Sequence, residues 1–243
     1  MAQQKVTLEH QQVFSKSKVW QAQRRYYDQS GIDAWSGDVP CYITTNPFIA
    51  YHYATVVAAF IDDWQKTHPT DSLDQPFYCV EIGAGHGLLS ALLQKQKSVE
   101  GLIIDVSQSA INSLKKVFQQ IKVDRRISFK KINFLKFKDD KKFDFIIMGE
   151  VIEHVKNPVK FLRKSKNLLS NRGSIFLTTC ANCAQHDHLF HFKDVKHIKK
   201  IIKKAGLIVS KEYVVPSENI PKNKWMKEKI AISYCAFVKN AKR

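Results

Sequence analysis

From Phe77 onward, short apolar runs alternate with amphipathic segments. Phe77–Ile82, Gly101–Val106, Ile127–Phe134, Phe143–Met148 and Ser174–Thr179 are short and rich in apolar residues, the pattern of strands buried on both faces. Between them, Leu88–Gln96, Gln108–Ile121, Pro158–Leu169 and Asp194–Ala205 carry apolar residues at helical spacing. The last of these helices is stopped by Gly206 as a C′ residue. Two further strands, Leu207–Val215 and Ile230–Val238, follow one another without a helix and can pair antiparallel at one edge. The alternation predicts an α/β domain: a mostly parallel sheet with helices on both faces.

Residues 1–75 differ. They hold two helix-like stretches, Val6–Arg24 and Pro47–Thr67, the second with Asn46 as N-cap and Pro47 in the first turn. They are also rich in aromatic residues. This pattern predicts an N-terminal helical cap over 1–75 and a ligand-binding domain over 76–243. A chain of 243 residues is long enough for one domain with a large core and short for two full ones. No apolar run approaches a membrane span, and MAQQKVTLEHQQ lacks the apolar centre of a secretory signal, so the expected location is the cytoplasm. The five cysteines read as thiols rather than a disulfide framework. The net charge of +17 admits a nucleic-acid partner. The lysines behind it are spread over many segments and arginine is scarce, which fits a solvated surface better.

Glycines cluster where the first strand meets its helix, in Glu81-Ile82-Gly83-Ala84-Gly85-His86-Gly87. Glycine lets the chain turn tightly and lets a ligand approach the backbone, and the helix start that follows offers unpaired N–H groups. The spacing is GxGxG rather than the GxGxxG of dinucleotide loops, and a carboxylate, Glu81, stands at the strand end. That charge would repel a pyrophosphate and attract a sulfonium and an ammonium, directly or through water. S-adenosylmethionine (SAM) is therefore favoured over a dinucleotide. Asp105 closes the second strand in LIIDVS. A carboxylate there can accept hydrogen bonds from both ribose hydroxyls. The alternative is a cap for the next helix, for which Ser107 is an equally good candidate.

EIGAGHG, the acid in LIIDVS and the strand–turn GEVIEHV resemble the characteristic motifs of class I SAM-dependent methyltransferases, over about Phe77 to the C-terminus. The resemblance implies a Rossmann-like, seven-stranded, mostly parallel sheet of order 3-2-1-4-5-7-6, with strand 7 antiparallel. It implies that SAM lies along Glu81, Gly83, Gly85, Gly87, Asp105 and Val106, with Asn133 and Phe134 near the adenine and Gly149 and Glu150 near the methionine part. The family often has Asp where this chain has Asn133, whose amide oxygen can still accept from the adenine amino group. All these positions map to C-terminal strand ends, where such sheets bind ligands. In this family the segment ahead of the first motif often closes over SAM. On that basis Tyr27 and Thr45 are candidate contacts from the cap. The alternative is a packed cap with no cofactor contact.

Glu150, Glu153 and His154 are spaced to share one face of a helical turn, and His186, Asp187 and His188 follow the fifth strand on the same edge of the sheet. Three roles are open. The histidines can be structural. Glu150, Glu153, His154 and His188 can hold a divalent ion such as Mg²⁺. This pattern is similar to that of ubiquinone-biosynthesis O-methyltransferases and of small-RNA-stabilising 2′-O-methyltransferases. Thirdly, His188, with His186 second, can act as a general base, with His154 and Glu153 beside it. Cys180 and Cys183 form a C-x-x-C next to these histidines. A zinc site there has no second cysteine pair to complete it.

The expected function is methyl transfer from SAM to a hydroxyl or amine of a small molecule, free or carrier-bound, without membrane insertion. The alternative is a 2′-O-methyltransferase acting on RNA through the metal set. A SAM-binding protein without turnover is a third reading, opposed by the intact glycine loop and the histidine-rich acceptor side.

Overall fold

A computed structural model describes residues 47–67, 77–85, 87–96, 100–120, 126–183, 188–217, 221–225 and 230–241, with Lys18 and Ala22. Tyr27, Thr45, Asn46, His186, Asp187 and all but two residues of the predicted helix Val6–Arg24 lie outside the described residues. Thr45–Arg243 forms one compact unit and Met1–Thr44 a second.

The larger unit runs α1 (Pro47–Thr67), β1 (Tyr78–Ile82), α2 (Leu88–Gln96), β2 (Glu100–Asp105), α3 (Gln108–Gln120), β3 (Ile127–Lys131), β4 (Phe143–Gly149), α4 (Pro158–Leu168), β5 (Leu169–Ala181), α5 (Val195–Lys204), β6 (Leu207–Pro216) and β7 (Ile232–Asn240). The seven strands form one sheet in the order β3-β2-β1-β4-β5-β7-β6. β7 is antiparallel to β5 and β6, and the remaining pairs are parallel. This is the expected α/β class and strand order.

Strand β4 shows why both faces must be covered. Phe145 and Ile147 point into one apolar cluster, and Ile146 and Met148 into another, all four fully buried. On the first face lie Ala54, Val57, Ala58 and Ile61 of α1, with Leu89 and Leu93 of α2. On the second lie Phe161 and Leu162 of α4 and Ile198, Ile201 and Ile202 of α5. Each such side chain contributes about 1.5–3 kcal/mol when fully buried, so this two-sided burial is the main source of stability.

Helix α1 departs from the sequence reading. The sequence places it within a separate cap over 1–75, yet it packs on the sheet through Phe60, which stacks on Phe237 with centroids 5.0 Å apart. The boundary between the two units accordingly falls at Thr44, ahead of the helix. Two strand ends also move by three residues or more. β3 stops at Lys131 because Asn133 caps a short 3₁₀ turn, Phe134–Lys136, by accepting from Leu135 N–H at 2.9 Å. β5 begins at Leu169, where it pairs with Phe143 ahead of an irregularity in the ladder. Among the described residues no helix is long and apolar enough to cross a membrane.

Candidate active site

The C-terminal ends of β1, β2, β4 and β5 bring most of the described candidate residues to one edge of the sheet. The loop after β1 is fixed from several sides. Gly83 N–H donates to Ile104 O at 2.8 Å, and Gly87 N–H donates to Ala84 O at 2.8 Å. Gly87 has φ +65, and a Cβ there would sit 1.5 Å from Leu114 Cδ2, so only glycine lets α3 pack this close. At Gly85, φ is +52 and a Cβ would meet no atom within 4 Å, so this backbone is open to an approaching ligand.

Asp105, only 9% exposed, ties the loop to β2. Its Oδ2 accepts from Gly85 N–H at 3.1 Å and its Oδ1 from Ser107 N–H at 2.8 Å. The helix cap is Ser107, whose Oγ accepts from Ala110 N–H at 3.3 Å. The two readings of Asp105 therefore part: capping falls to Ser107. Each carboxylate oxygen of Asp105 keeps a lone pair beyond the one it uses on the backbone. Beside it, Val106 is 65% exposed, an apolar side chain presented at the sheet edge. Glu81 is buried and accepts a short hydrogen bond from Ser90 Oγ. Burial pushes its carboxyl up to about 7, the Ser90 hydrogen bonds oppose this, and the Asp105 charge adds to it.

Two adenine-side expectations meet a different geometry. The Asn133 amide oxygen is engaged in its cap. The Phe134 ring is 3% exposed and packs on Phe161 with centroids 4.6 Å apart, so it belongs to the core and does not face the edge. The cause is the 3₁₀ turn, which directs the ring inward.

At the end of β4 the chain reverses at Glu150, with φ 50. Its N–H donates to Thr178 O at 3.1 Å and to Thr178 Oγ1 at 3.2 Å. The 3₁₀ turn Ile152–His154 follows. Glu150 lies outside that turn, so the three residues do not share one helical face as the spacing suggested. Glu153 is buried and accepts from Thr179 Oγ1 at 2.8 Å. Glu150 is exposed yet ringed by protein. Desolvation, then the Glu153 charge and a hydrogen bond to Glu153, push its carboxyl upward, while solvent contact keeps the push below that of a sealed group.

The segment after β5 folds back over this turn, with Phe190 N–H donating to Glu153 O at 2.9 Å. His188 thereby reaches His154, edge to face, with ring centroids 5.1 Å apart. His188 Nδ1 lies 2.8 Å from Cys183 O. A carbonyl only accepts, so Nδ1 carries the proton and Nε2 of the neutral ring has the free lone pair. Ligand atoms of Glu153, His154 and His188 lie within 4.8 Å of one another, as do those of Glu150, Glu153 and Cys180. Neither group includes Cys183. The Cys180 thiol is pushed up, first by a hydrogen bond with Cys183 and then by burial, which keeps it protonated.

Sequence reasoning passed over Tyr53 and Thr178. The Tyr53 hydroxyl of α1 reaches Thr178 and lies near Glu150 and Glu153. Burial, aided by the Glu150 charge, holds it up at about 12, so the phenol stays protonated.

Comparison with known proteins agrees with this architecture. The family profile described as "Methyltransferase domain" matches residues 53–228. A ubiquinone biosynthesis O-methyltransferase of Glaesserella parasuis is 28% identical over 192 residues, 67% of this chain and 78% of that protein. One from Pelagibacter ubique is 33% identical over 142 residues, 58% of this chain and 57% of its own length. The crystal structure of a SAM-dependent methyltransferase from Clostridium acetobutylicum superposes with a TM-score of 0.56 at 13% identity, covering 93% of this chain and all of that one. The chain belongs to the methyltransferase-domain family and is a SAM-dependent methyltransferase.

Proposed function

We propose that the chain transfers the SAM methyl group to a hydroxyl of a small molecule, with His188 as the base. The observation that carries this is the hydrogen bond from His188 Nδ1 to Cys183 O, which leaves Nε2 ready to take a proton at the same strand edge as the glycine loop. The acceptor oxygen attacks the methyl carbon in line. The new O–C bond forms as the S–C bond breaks, its electron pair passes to sulfur, and the hydroxyl proton goes to Nε2. Sulfonium is already a good leaving group, so the protein mainly positions the reactants and removes the proton. The ubiquinone-biosynthesis relatives are named as O-methyltransferases, which supports a hydroxyl over an amine.

SAM is assigned to the loop Gly83, Gly85 and Gly87, with Asp105 on the ribose and Val106 beside the adenine. Asn133 reaches the adenine only through the face of its amide not used in the cap, and Phe134 only through its backbone. Gly149 and Glu150 take the methionine end, and Glu81 attracts its cationic groups. A free acceptor is the simplest substrate. A carrier-bound one uses the same chemistry.

A second reading rests on the convergence of Glu153, His154 and His188. One carboxylate and two imidazoles, joined by Glu150, suit a divalent ion that would acidify and orient the hydroxyl. The two readings use His188 Nε2 differently, so two measurements separate them. His188→Gln is expected to lower kcat at least a hundredfold and leave SAM affinity within twofold. Dialysis against a chelator is expected to leave activity unchanged. Activity lost on chelation and restored by Mg²⁺ or Mn²⁺ would replace the base reading with the metal one.

A further inference from the structure

Asn182, the residue after β5, lies in the left-handed region with φ 54. Asparagine tolerates that backbone better than most residues, because its short polar side chain bonds locally. Here both halves of the residue are engaged. Its N–H donates to Phe192 O at 2.7 Å, so the chain departs and returns at one point and residues 183–191 form a loop closed at its neck. Its side-chain amide donates from Nδ2 to Ile230 O at 3.0 Å. Ala181 and Ile232 form the last pair of the β5–β7 ladder, and the amide ties the two chains together just beyond it. Both anchors are buried: Phe192 is 1% exposed and Ile230 3%.

Cys183 comes next, and its carbonyl is a shared acceptor. His188 Nδ1–H donates to it at 2.8 Å, and the Cys180 thiol at 3.9 Å. These two donors occupy the two lone pairs of one carbonyl oxygen. On the other side of His188, Phe190 N–H holds Glu153 O at 2.9 Å. His188 therefore hangs between two anchored points, and Asn182 supplies the first. A rotation of the backbone at Asn182 swings the Cys183 carbonyl away from the ring. The ring is then free to take the Nε2–H tautomer that imidazole favours in water, which has no lone pair at Nε2 to receive a proton.

Resting on the base reading of His188 above, we infer that Asn182 is a positioning residue for methyl transfer. It acts through the Cys183 carbonyl, holding the His188 ring in the tautomer whose Nε2 can take the acceptor proton. Asn182 itself moves no proton. A change there should act on the His188 ring and on turnover, and leave the cofactor half of the site as it is.

Nitrogen NMR of protein labelled in its histidine rings reads the tautomer directly, with the His188 signals identified by their loss in His188→Gln. Spectra are taken with S-adenosylhomocysteine bound at about pH 9, above the ordinary histidine range, so that the rings are neutral. Wild-type His188 is expected as Nδ1–H. Asn182→Gly keeps the left-handed backbone and loses the amide, and Asn182→Ala loses both. Transfer of label from methyl-labelled SAM to a small-metabolite pool should slow about fivefold in Asn182→Gly, the worth of one hydrogen bond, and about fiftyfold in Asn182→Ala, where the backbone is strained as well. The Nε2–H signal of His188 should grow in the same order. The apparent KM for SAM and the calorimetric affinity for S-adenosylhomocysteine should stay within twofold of wild type. Asn182→Asp is nearly isosteric and sets a carboxylate oxygen against Ile230 O, so it should behave like Asn182→Ala, and with Asn182→Gly it decides the matter if Asn182→Ala does not fold. A purely structural role would lower the melting temperature and leave both tautomer and rate unchanged in the folded variants, and that result overturns the inference while the base reading stands. Wild-type His188 found as Nε2–H would remove the base reading and the inference with it.

Discussion

Asp105→Asn is the most informative substitution in the cofactor half of the site. It is nearly isosteric, yet the structure predicts that it behaves almost like a deletion. The two carboxylate oxygens accept from different backbone donors, Gly85 N–H at 3.1 Å and Ser107 N–H at 2.8 Å. An amide has one oxygen, so either orientation turns its NH₂ toward one of those N–H groups. One charge-assisted hydrogen bond is lost and one backbone donor is left facing another, at about 2 kcal/mol. For a chain of this size that lowers Tm by about 4–8 °C. If the carboxylate also holds the ribose, SAM affinity should fall about 10- to 100-fold, the effect of one charge-assisted hydrogen bond. Calorimetry with S-adenosylhomocysteine and its 2′,3′-dideoxy analogue separates the two effects as a double-mutant cycle. Wild-type protein should discriminate strongly between them, and Asp105→Asn should discriminate little. A variant that loses affinity for both ligands equally, keeping the wild-type ratio, would show that Asp105 only clamps the loop and would refute the ribose assignment.

Other outcomes follow from the same geometry. Gly87→Ala forces a Cβ into Leu114 Cδ2 at a φ of +65, so urea unfolding should show a loss of about 2–5 kcal/mol from left-handed strain and overpacking together. The Glu81 carboxyl, raised to about 7 in the fold, binds more protons folded than unfolded between its ordinary range and that value. Its contribution to the ligand-free protein is therefore present at low pH and lost as pH rises from about 4.5 through about 7, and Glu81→Gln should flatten that slope in thermal melts. A cation beside Glu81 favours its charged form, so SAM should bind more tightly as pH rises across the same window. A SAM affinity independent of pH there, in wild type as in Glu81→Gln, would remove Glu81 from the cofactor site.

The sheet was legible because strands buried on both faces must read as apolar runs, and Phe143–Gly149 can be little else. The glycine loop was legible because left-handed backbone and close helix approach leave few residue choices at Gly85 and Gly87. What packs on what was harder. The apolar face of α1 shows that something covers it and does not say whether that is a sheet or a lid, so the pattern alone leaves the helix with the cap. Phe134 follows the third strand as the adenine-side residues do, and only the Asn133 cap reveals that its ring turns inward. Tyr53 had one signal, a hydroxyl in the middle of an apolar stripe. Its partner Thr178 lies on a distant strand, and no local pattern links them. The base reading of His188 depends on a contact with Cys183 O that spacing does not encode.

The central claim is tested most directly by incubating the purified protein with methyl-labelled SAM and two substrate pools, one of small metabolites and one of total RNA, each with and without Mg²⁺. Label is expected in the metabolite pool, independent of Mg²⁺, on an oxygen identified by mass spectrometry, and absent with His188→Gln. Label confined to RNA, or transfer that survives His188→Gln undiminished, would contradict the proposal.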